Sequence, residues 1–508
     1  MTLLLLYGVN LLVLAINFAN RDTLIDGPVP RFNEPERVAG ALPPSVTVQL
    51  PMYNERFVAD RLIDACAKLD YPADRLDIQI LDDSTDDTAA IAEERTNYWK
   101  QRGVRILHLR RSDRTGYKAG ALQAGLKLSR AEFVAVFDAD FVPDSGFLRE
   151  VIGAFDSPKI GMVQARWSHL NEADSLLTRI QAFGLDTHFA IEQRVRNLTG
   201  CFINFNGTAG VWRRTCIDES GGWSADTLAE DLDLSYRAQL RGWRFKYLPR
   251  ATAPAELPAD MNAFRAQQFR WTKGTTQTAM KMLGPLWASE FPLSVKLEGT
   301  VHLTAHLAFP LVLILGLLNV PLLWMRSRTG MPGDVYFSML SLGVLGFVGF
   351  FLAQLFAQRE LYPDWKRRML LFPAFMAGSM GLAVNNTRAV LEAVLRKRST
   401  FVRTPKLRAV TAGDGAEVDV AGTFMRGGSR NSRQSNEEDY IASRLPAEFW
   451  VEIGMLAYLT VGLAWLIAHG AWLAIPFQLL LVAGFSLVVV YTAVGMRRAP
   501  TDEEVLSR

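Results

Sequence analysis

The spacing of apolar and polar residues divides the chain into a soluble part and a membrane part. In the first half, short β-branched and aromatic runs alternate with amphipathic stretches, which predicts strands alternating with helices. The predicted strands are 46–50, 76–81, 104–109, 133–137 and 160–165, and the predicted helices are 55–69, 88–102, 117–129 and 145–155. This order predicts an α/β domain whose mostly parallel sheet carries helices on both faces.

Longer apolar runs predict membrane-spanning helices. The run Thr2–Ala19 is about long enough to cross a bilayer, and four later runs, at 295–325, 335–357, 449–468 and 471–494, are also long enough. Basic residues follow the first run and precede the segment at 369, so the soluble domain is expected on the cytoplasmic side. The run 369–395 becomes polar at its end and is expected to be interfacial or re-entrant, which gives about five spans. A six-span arrangement remains open.

These patterns predict the domain organisation of the 508-residue chain. An N-terminal anchor at 1–22 precedes a soluble domain at 45–281 that ends in an interfacial helix. Two spans and the interfacial segment follow at 295–395. A cytoplasmic loop with a mobile part occupies 396–447, two further spans lie at 448–496, and a cytoplasmic tail closes the chain at 497–508.

Composition narrows the class of protein further. The formal charge of +3 is too small to indicate nucleic-acid binding, and basic residues cluster beside the apolar runs instead. The three cysteines, Cys66, Cys201 and Cys216, form no disulfide framework and are expected to be reduced. The chain is therefore expected to be an integral membrane protein with a cytoplasmic enzymatic domain.

The strongest chemical signal follows the fourth predicted strand. Asp138 and Asp140 are one residue apart at its end, where open α/β sheets bind ligands. Their hard oxygen ligands suit Mg²⁺ or Mn²⁺ bound together with a diphosphate. An ordinary acidic turn is the alternative for this pair taken alone.

Other polar residues fall at neighbouring strand and helix ends. Pro51, Tyr53 and Glu55 follow the first strand and could hold a flat base, and Asp83 could accept a hydrogen bond from a base N–H. Lys118 lies beside glycines at a predicted helix start, where anions bind favourably, so it could contact a diphosphate. An exposed lysine in the first helical turn is an equally good explanation of Lys118.

Two later motifs complete the set of candidate residues. Asp231 could take a proton from an attacking hydroxyl if it faces the Asp138 site, and Glu230 could orient it. In the run 267–271, Trp271 offers a platform for a sugar ring and Arg270 a fork for phosphate oxygens. This run could also be an interfacial helix on the membrane, and the two roles are compatible.

The order of these motifs resembles the D, DxD, ED, QxxRW set of processive membrane glycosyltransferases of family 2. The matching residues are Asp83, Asp138 with Asp140, Glu230 with Asp231, and Gln267 with Arg270 and Trp271. The wording around these motifs is most similar to the cellulose synthase-like A and C group, which are glucomannan and glucan backbone synthases. The resemblance covers 45–281 strongly and the membrane part less tightly.

The resemblance implies a GT-A-type, Rossmann-like fold and an inverting mechanism without a covalent intermediate. It implies that Asp83 holds the nucleobase and that Asp138 and Asp140 hold the metal and the diphosphate. It also implies that Asp231 is the base for the acceptor hydroxyl. It further implies that Gln267, Arg270 and Trp271 hold the growing glycan at the mouth of a transmembrane tunnel. The stretch 401–406 is similar to a gating loop of cellulose synthases, although Arg403 stands where that loop has Val.

The sequence thus predicts a processive β-glycan synthase that uses UDP-glucose or GDP-mannose with Mg²⁺ or Mn²⁺. Its product is expected to be a β-1,4-glucan or mannan type of polymer exported through its own spans. The expected partners are the nucleotide sugar, the growing glycan and the lipid bilayer, and the expected location is a bacterial inner membrane or a Golgi or plasma membrane. The alternative is a non-processive enzyme that glycosylates a ceramide or diacylglycerol.

Overall fold

The computed structural model describes residues 2–22, 43–330, 343–397 and 446–497. Its soluble part is built on one sheet of seven strands in the order β3-β2-β1-β4-β6-β5-β7. The strands are β1 Val46–Met52, β2 Leu76–Asp82, β3 Ile106–Arg110, β4 Phe133–Val136, β5 Ile160–His169, β6 Gly210–Arg213 and β7 Arg244–Ala255.

Parallel pairing along the first half of the sheet brings the ends of consecutive strands to one edge. β1 pairs in parallel with β2 on one side and with β4 on the other, with Val46 opposite Leu76 and Phe133. The interior residues of β1 and β4 are buried on both faces, as expected for strands covered by helices on each side. All polar residues that follow these strands therefore meet at the same edge.

The structure confirms the predicted α/β fold and corrects it at two strands. β6 runs antiparallel to both β4 and β5, so the sheet is mixed at this point. β6 has only 4 residues, too few to give a recognisable period. β7 contains Pro249 and Pro254, which ordinarily argue against a strand, and a register shift between Ala165 and Arg166 of its partner β5 accommodates the irregularity.

Helices cover both faces of the sheet and lead toward the membrane part. The predicted helix at 55–69 is shorter than expected because residues 56–58 form turns before it begins. The helical elements of the soluble part are Ala59–Ala67, Thr88–Lys100, Tyr117–Leu128, Phe147–Gly153, Leu176–Thr187, His188–Gln193, Arg194–Leu198, Arg214–Glu219, Glu230–Leu240 and Met261–Ala288.

Four helices in the described parts of the chain are long and apolar enough to cross a membrane: Leu293–Thr329, Gly343–Leu361, Ala447–Ala468 and Trp472–Val494. A fifth candidate is the pair Trp365–Gly381 and Ala383–Val394, which bends by 44° at its break. A bent pair is compatible with the predicted re-entrant segment and with a broken span. The protein is an integral membrane protein.

The N-terminal helix Thr2–Ala19 packs along the helix Gly343–Leu361. Gly8 lies directly against the backbone of Gly346 and Gly349, the close approach that small residues allow between membrane helices. The apolar stretch Leu4–Ala19 of this helix is shorter than 18 residues. The gating-like stretch 401–406 lies outside the described residues.

We call Met261–Ala288 the interface helix, because it joins the soluble domain to the membrane helices. One stripe of this helix carries Arg265 and Lys273, both almost fully buried. Arg265 Nη1 lies 2.6 Å from Glu452 Oε2 in the helix Ala447–Ala468, and Lys273 Nζ lies 2.9 Å from Glu392 Oε2 in the bent pair. Two buried ion pairs therefore fix the rotation of the interface helix against the membrane part.

We expect Glu452→Ala to destabilise the protein by about 3–5 kcal/mol, because it leaves the buried Arg265 guanidinium without its carboxylate partner. The matched control is Asp70→Ala, which removes a surface pair with Arg149 whose two side chains are both 61% exposed. This control should cost about 0–1 kcal/mol. Thermal unfolding of the purified variants in detergent measures both effects, and equal losses would contradict the role assigned to the buried pair.

Candidate active site

The carboxyl ends of β1, β2 and β4 open onto a cavity of about 600 Å³. Every candidate residue of the sequence analysis lines this one cavity. They are Pro51, Tyr53, Glu55, Asp83, Lys118, Asp138, Asp140, Glu230, Asp231, Gln267, Arg270 and Trp271. Residues more than 200 positions apart in the sequence, such as Pro51 and Trp271, are thereby brought to one place.

A lysine connects the carboxylates at the centre of the cavity. Lys118 is the second residue of the helix Tyr117–Leu128, whose N-cap residue, Gly116, has a left-handed backbone conformation. Its Nζ lies 2.6 Å from Asp138 Oδ1 and 3.9 Å from Glu230 Oε1, and it donates to the Gly207 carbonyl at 2.9 Å. Lys118 thus offers a positive charge where a diphosphate would lie.

The electrostatics of this centre raise the pKa of Asp231, so that it can gain and lose a proton near neutral pH. Burial and the adjacent negative charge of Glu230 raise the pKa of Asp231 to about 7, although Lys118 partly opposes them. Burial likewise raises the pKa of Glu230. Burial lowers the pKa of Lys118, but attraction to Asp138 and Glu230 outweighs it, so the pKa is raised overall. An acid and a base are therefore both available near neutral pH.

Gly207 lies in the wall of the cavity, close to the Asp231 carboxylate. It has φ +81°, a conformation that side chains rarely adopt, and a Cβ built there would lie 2.9 Å from Asp231 Oδ2 and 3.4 Å from Lys118 Nζ. The loop therefore passes too close to the carboxylate to carry a side chain. The sequence analysis did not assign Gly207 as a site residue.

Asp138 and Asp140 follow β4 and both line the cavity. Asp140 is buried and Asp138 is 31% exposed to the cavity. The backbone N–H of Asp138 donates to Thr208 Oγ1 at 2.9 Å, which holds the turn after β4. In the described part of the chain, no three His, Cys, Asp or Glu residues form a complete metal site. Two carboxylates fit an ion that takes its other ligands from phosphate oxygens and water.

Two arginines that the sequence analysis did not single out lie beside Asp83 and Tyr53, at what we call the base end of the cavity; of the two, Arg114 lines the cavity and Arg111 contacts Asp83. Arg111 Nε donates to Asp83 Oδ1 at 2.9 Å, and its Nη2 pairs with Asp83 Oδ2. The guanidinium of Arg114 lies 3.1 Å from the centroid of the Tyr53 ring. Both arginines belong to the polar loop before Gly116, whose sequence carries no period that would indicate a site.

Aromatic side chains line the opposite end of the cavity. Trp271 of the interface helix lies 6.5 Å from Trp167 of β5, measured between ring centroids, and Trp167 lies 5.2 Å from both Phe141 and Phe189. Flat apolar rings of this kind are suited to stack against sugar rings. Trp167 was not predicted because an aromatic residue in a strand normally indicates core packing.

The cavity continues from the interface helix between the membrane helices. His302, His306 and Phe309 of the segment 293–329 line it, together with Phe375 and Ser379 of the bent pair. The side of the interface helix that faces the cavity carries Gln267, Arg270 and Trp271. It lies opposite the stripe that carries Arg265 and Lys273. The lining of this cavity therefore extends from the central carboxylates to residues of the membrane helices.

Comparison with known proteins agrees with this geometry. Residues 43–274 match the family model described as "Glycosyltransferase like family 2". The chain is 45% identical over 252 residues to glucomannan 4-beta-mannosyltransferase 7 of Arabidopsis thaliana, covering 49% of this chain and 45% of that protein. It is 45% identical over 264 residues to glucomannan 4-beta-mannosyltransferase 1 of Oryza sativa subsp. japonica, covering 50% of each. The chain spans about half the length of the curated relatives it matches.

A solved structure shows the same fold at low sequence identity. The mannosyltransferase PcManGT from Pyrobaculum calidifontis, in complex with GDP-Man and Mn²⁺, superposes with a TM-score of 0.51 at 17% identity and covers 78% of this chain and all of that one. The GT-A-type fold is thus confirmed, as is the resemblance to cellulose synthase-like enzymes. Residues 43–274 thus match the glycosyltransferase-like family 2, and that match covers the whole sheet and the start of the interface helix.

Proposed function

We propose that this protein is an inverting, processive membrane glycosyltransferase that builds a β-1,4-linked mannan or glucomannan type of polymer. The observation that carries the proposal is the single cavity that joins the central carboxylates, the aromatic platform and the membrane helices. A polymer that remains bound after each addition needs such a continuous path. The relatives named above are mannosyltransferases, which favours a mannosyl donor over a glucosyl donor.

The donor that fits this proposal is GDP-mannose, with the diphosphate at Lys118 and the base near Tyr53 and Asp83. The structural neighbour bound to GDP-Man and Mn²⁺ supports a nucleotide sugar and a divalent ion for this fold. A divalent ion held by Asp138 and Asp140 would neutralise negative charge on the departing diphosphate. The rate of transfer measured with each ion identifies whether Mg²⁺ or Mn²⁺ supports the faster reaction.

In this mechanism, Asp231 acts on the hydroxyl of the acceptor sugar. The carboxylate takes the hydroxyl proton while the hydroxyl oxygen forms a bond to the anomeric carbon of the donor. The bond from that carbon to the diphosphate oxygen breaks on the opposite side, so the configuration inverts. Glu230 keeps the pKa of Asp231 high enough for effective proton transfer near neutral pH. Gln267, Arg270 and Trp271 hold the acceptor end in place.

We propose that the domain lies on the cytoplasmic side of a bacterial inner membrane or a Golgi or plasma membrane. Basic residues flanking the apolar runs favour this orientation. The proposed divisions of the chain are those of the sequence analysis, from the anchor at 1–22 to the tail at 497–508. A non-processive enzyme acting on a ceramide or diacylglycerol is less favoured, because a lipid acceptor does not need a path lined by tryptophans.

The direct test incubates protein in nanodiscs with radiolabelled GDP-mannose or UDP-glucose and Mg²⁺ or Mn²⁺. The expected product is a water-insoluble polymer made from GDP-mannose and released by an endo-β-1,4-mannanase. Asp231→Asn should lower the rate by at least about a hundredfold, in the range typical of a lost general base. Label found only in an organic extract would identify a glycolipid enzyme instead, and normal polymerisation by Asp231→Asn would exclude Asp231 as the base.

Gly207→Ala tests whether the loop must approach Asp231 closely. The added Cβ would press on Asp231 Oδ2, so we expect the rate of mannosyl transfer to fall on the order of tenfold or more. The matched control is Gly200→Ala, which also has a positive φ, of +73°, but no atom within 4 Å of an added Cβ. That variant should lose only about 1–2 kcal/mol of stability through backbone strain. Equal rates in both variants would contradict the geometry.

The raised pKa of Asp231 predicts how the transfer rate depends on pH. A base must be deprotonated to accept a proton, so the rate should rise with pH through about 7 and fall below it. Glu230→Gln removes a neighbouring negative charge, which lowers the pKa of Asp231 and should shift the midpoint of the profile to lower pH.

The pH profile of mannosyl transfer measures this shift, with Asp74→Asn as a control. Asp74 is a surface carboxylate whose side chain is 74% exposed, and its removal should leave the midpoint unchanged. A midpoint in Glu230→Gln that stays in place or moves to higher pH would show that Glu230 does not act on Asp231 in this way.

A further inference from the structure

An arginine occupies the face of the tyrosine ring at the base end of the cavity. The guanidinium carbon of Arg114 lies 3.1 Å from the Tyr53 ring centroid and 5.2 Å from the Tyr117 ring centroid. Tyr53, Asp83 and Arg114 all line the cavity. A planar cation therefore lies in the layer that a planar base stacked on Tyr53 would enter, with a second ring available beside it.

Arg111, the neighbouring arginine, has a different role. Besides its two contacts with Asp83, it donates to the carbonyls of Thr115 at 2.9 Å and Tyr117 at 3.1 Å. These bonds use its donors to close the loop and to hold the Asp83 carboxylate in place. Arg111 is thus a positioning residue, whereas Arg114 lies against the ring face itself.

The negative charge of Asp83 affects the pKa of the Arg114 guanidinium. Burial lowers the pKa of the Arg114 guanidinium, and attraction to Tyr53 and Asp83 opposes that effect. Both Asp83 and Arg114 line the cavity, and the two side chains have opposite hydrogen-bonding character. A carboxylate accepts from N–H groups, and a guanidinium donates two parallel N–H groups to paired acceptors.

This pair of side chains matches the edges of guanine. Guanine has an N1–H donor beside O6, and O6 with N7 forms the paired acceptor that arginine binds with two parallel hydrogen bonds. Uracil presents an N3–H donor and the single acceptor O4 in the corresponding positions. A site with both side chains can satisfy guanine along two adjoining edges, but it leaves part of the arginine fork unused with uracil.

We propose that Arg114 is a specificity-determining residue that selects guanine over uracil in the donor nucleotide. In the bound state the base stacks on Tyr53, and the guanidinium moves within the same layer toward Tyr117 to meet O6 and N7. Asp83 accepts from the N1–H of the same base. This assignment rests on the proposed function, because it concerns the donor of that reaction.

Calorimetric titration of the purified full chain with GDP and with UDP, in the presence of Mn²⁺, tests the assignment. The wild-type protein should bind GDP at least about tenfold more tightly than UDP, as expected for one bidentate arginine contact. Arg114→Ala should weaken GDP binding by about tenfold or more and UDP binding by about threefold at most. Arg114→Lys should resemble Arg114→Ala, because one ammonium cannot donate in parallel to both acceptors.

The matched control is Arg102→Ala. Arg102 also lies over a tyrosine, with its guanidinium 3.5 Å from the Tyr98 ring centroid, but neither residue lines the cavity. This variant should retain the wild-type ratio of GDP to UDP affinity. Thermal unfolding verifies that each variant is folded, and the lysine variant keeps the charge if the alanine variant is unstable.

The outcomes separate the two levels of the proposal. Equal weakening of GDP and UDP in Arg114→Ala, tighter GDP binding in that variant, or a wild-type preference for UDP would overturn the role of Arg114 while leaving a nucleotide-dependent transferase. A folded wild-type protein that binds neither nucleotide would overturn the proposed function and this assignment together.

Discussion

The arrangement of the site depends on how one helix is fixed between water and membrane. The interface helix carries Arg265 and Lys273 on one side and Gln267, Arg270 and Trp271 on the other. Charges buried beside membrane helices are costly unless they are paired. Because Glu452 and Glu392 supply those pairs, a rotation of the helix would separate both charges from their partners. The same constraint turns the residues of the opposite side toward the cavity.

The fixed helix gives the cavity two chemically distinct ends around a charged centre. Arg114 and Tyr53 form one end, and tryptophan and phenylalanine rings form the other. Between them, Lys118 lies close to Asp138 and Glu230, and the charge of Glu230 helps to raise the pKa of Asp231 while Lys118 opposes this rise. A nucleotide, a reacting centre and a glycan would thus each meet an environment suited to its chemistry.

Much of the fold could be predicted because its strands are short, apolar and separated by amphipathic helices. β6 and β7 could not, since the first is very short and the second contains prolines that a register shift accommodates. The site residues that follow buried strands, such as Asp138 and Asp140, carried a clear positional signal. Arg114 and Trp167 carried none, because a loop arginine and a strand aromatic acquire meaning only from the residues that the fold places beside them.

Long-range contacts were equally beyond the sequence. The pairs of Arg265 with Glu452 and of Lys273 with Glu392 join residues more than 100 positions apart. No periodic pattern of residues in the sequence indicates which buried basic residue pairs with which carboxylate. The motif set predicted that Gln267 and Trp271 would contact the glycan, but only the membrane helices explain why that side of the helix faces the cavity.

The proposed function requires a continuous path from the carboxylates to the space between the membrane helices. The most direct measurement is a cryo-electron microscopy structure of the protein in nanodiscs, frozen during turnover of GDP-mannose. We expect density for a chain of sugars that begins beside Asp231 and continues past His306 and Phe375, with one sugar ring stacked on Trp271. Density for a lipid acceptor at Asp231, or a glycan that leaves the cavity toward water, would contradict it.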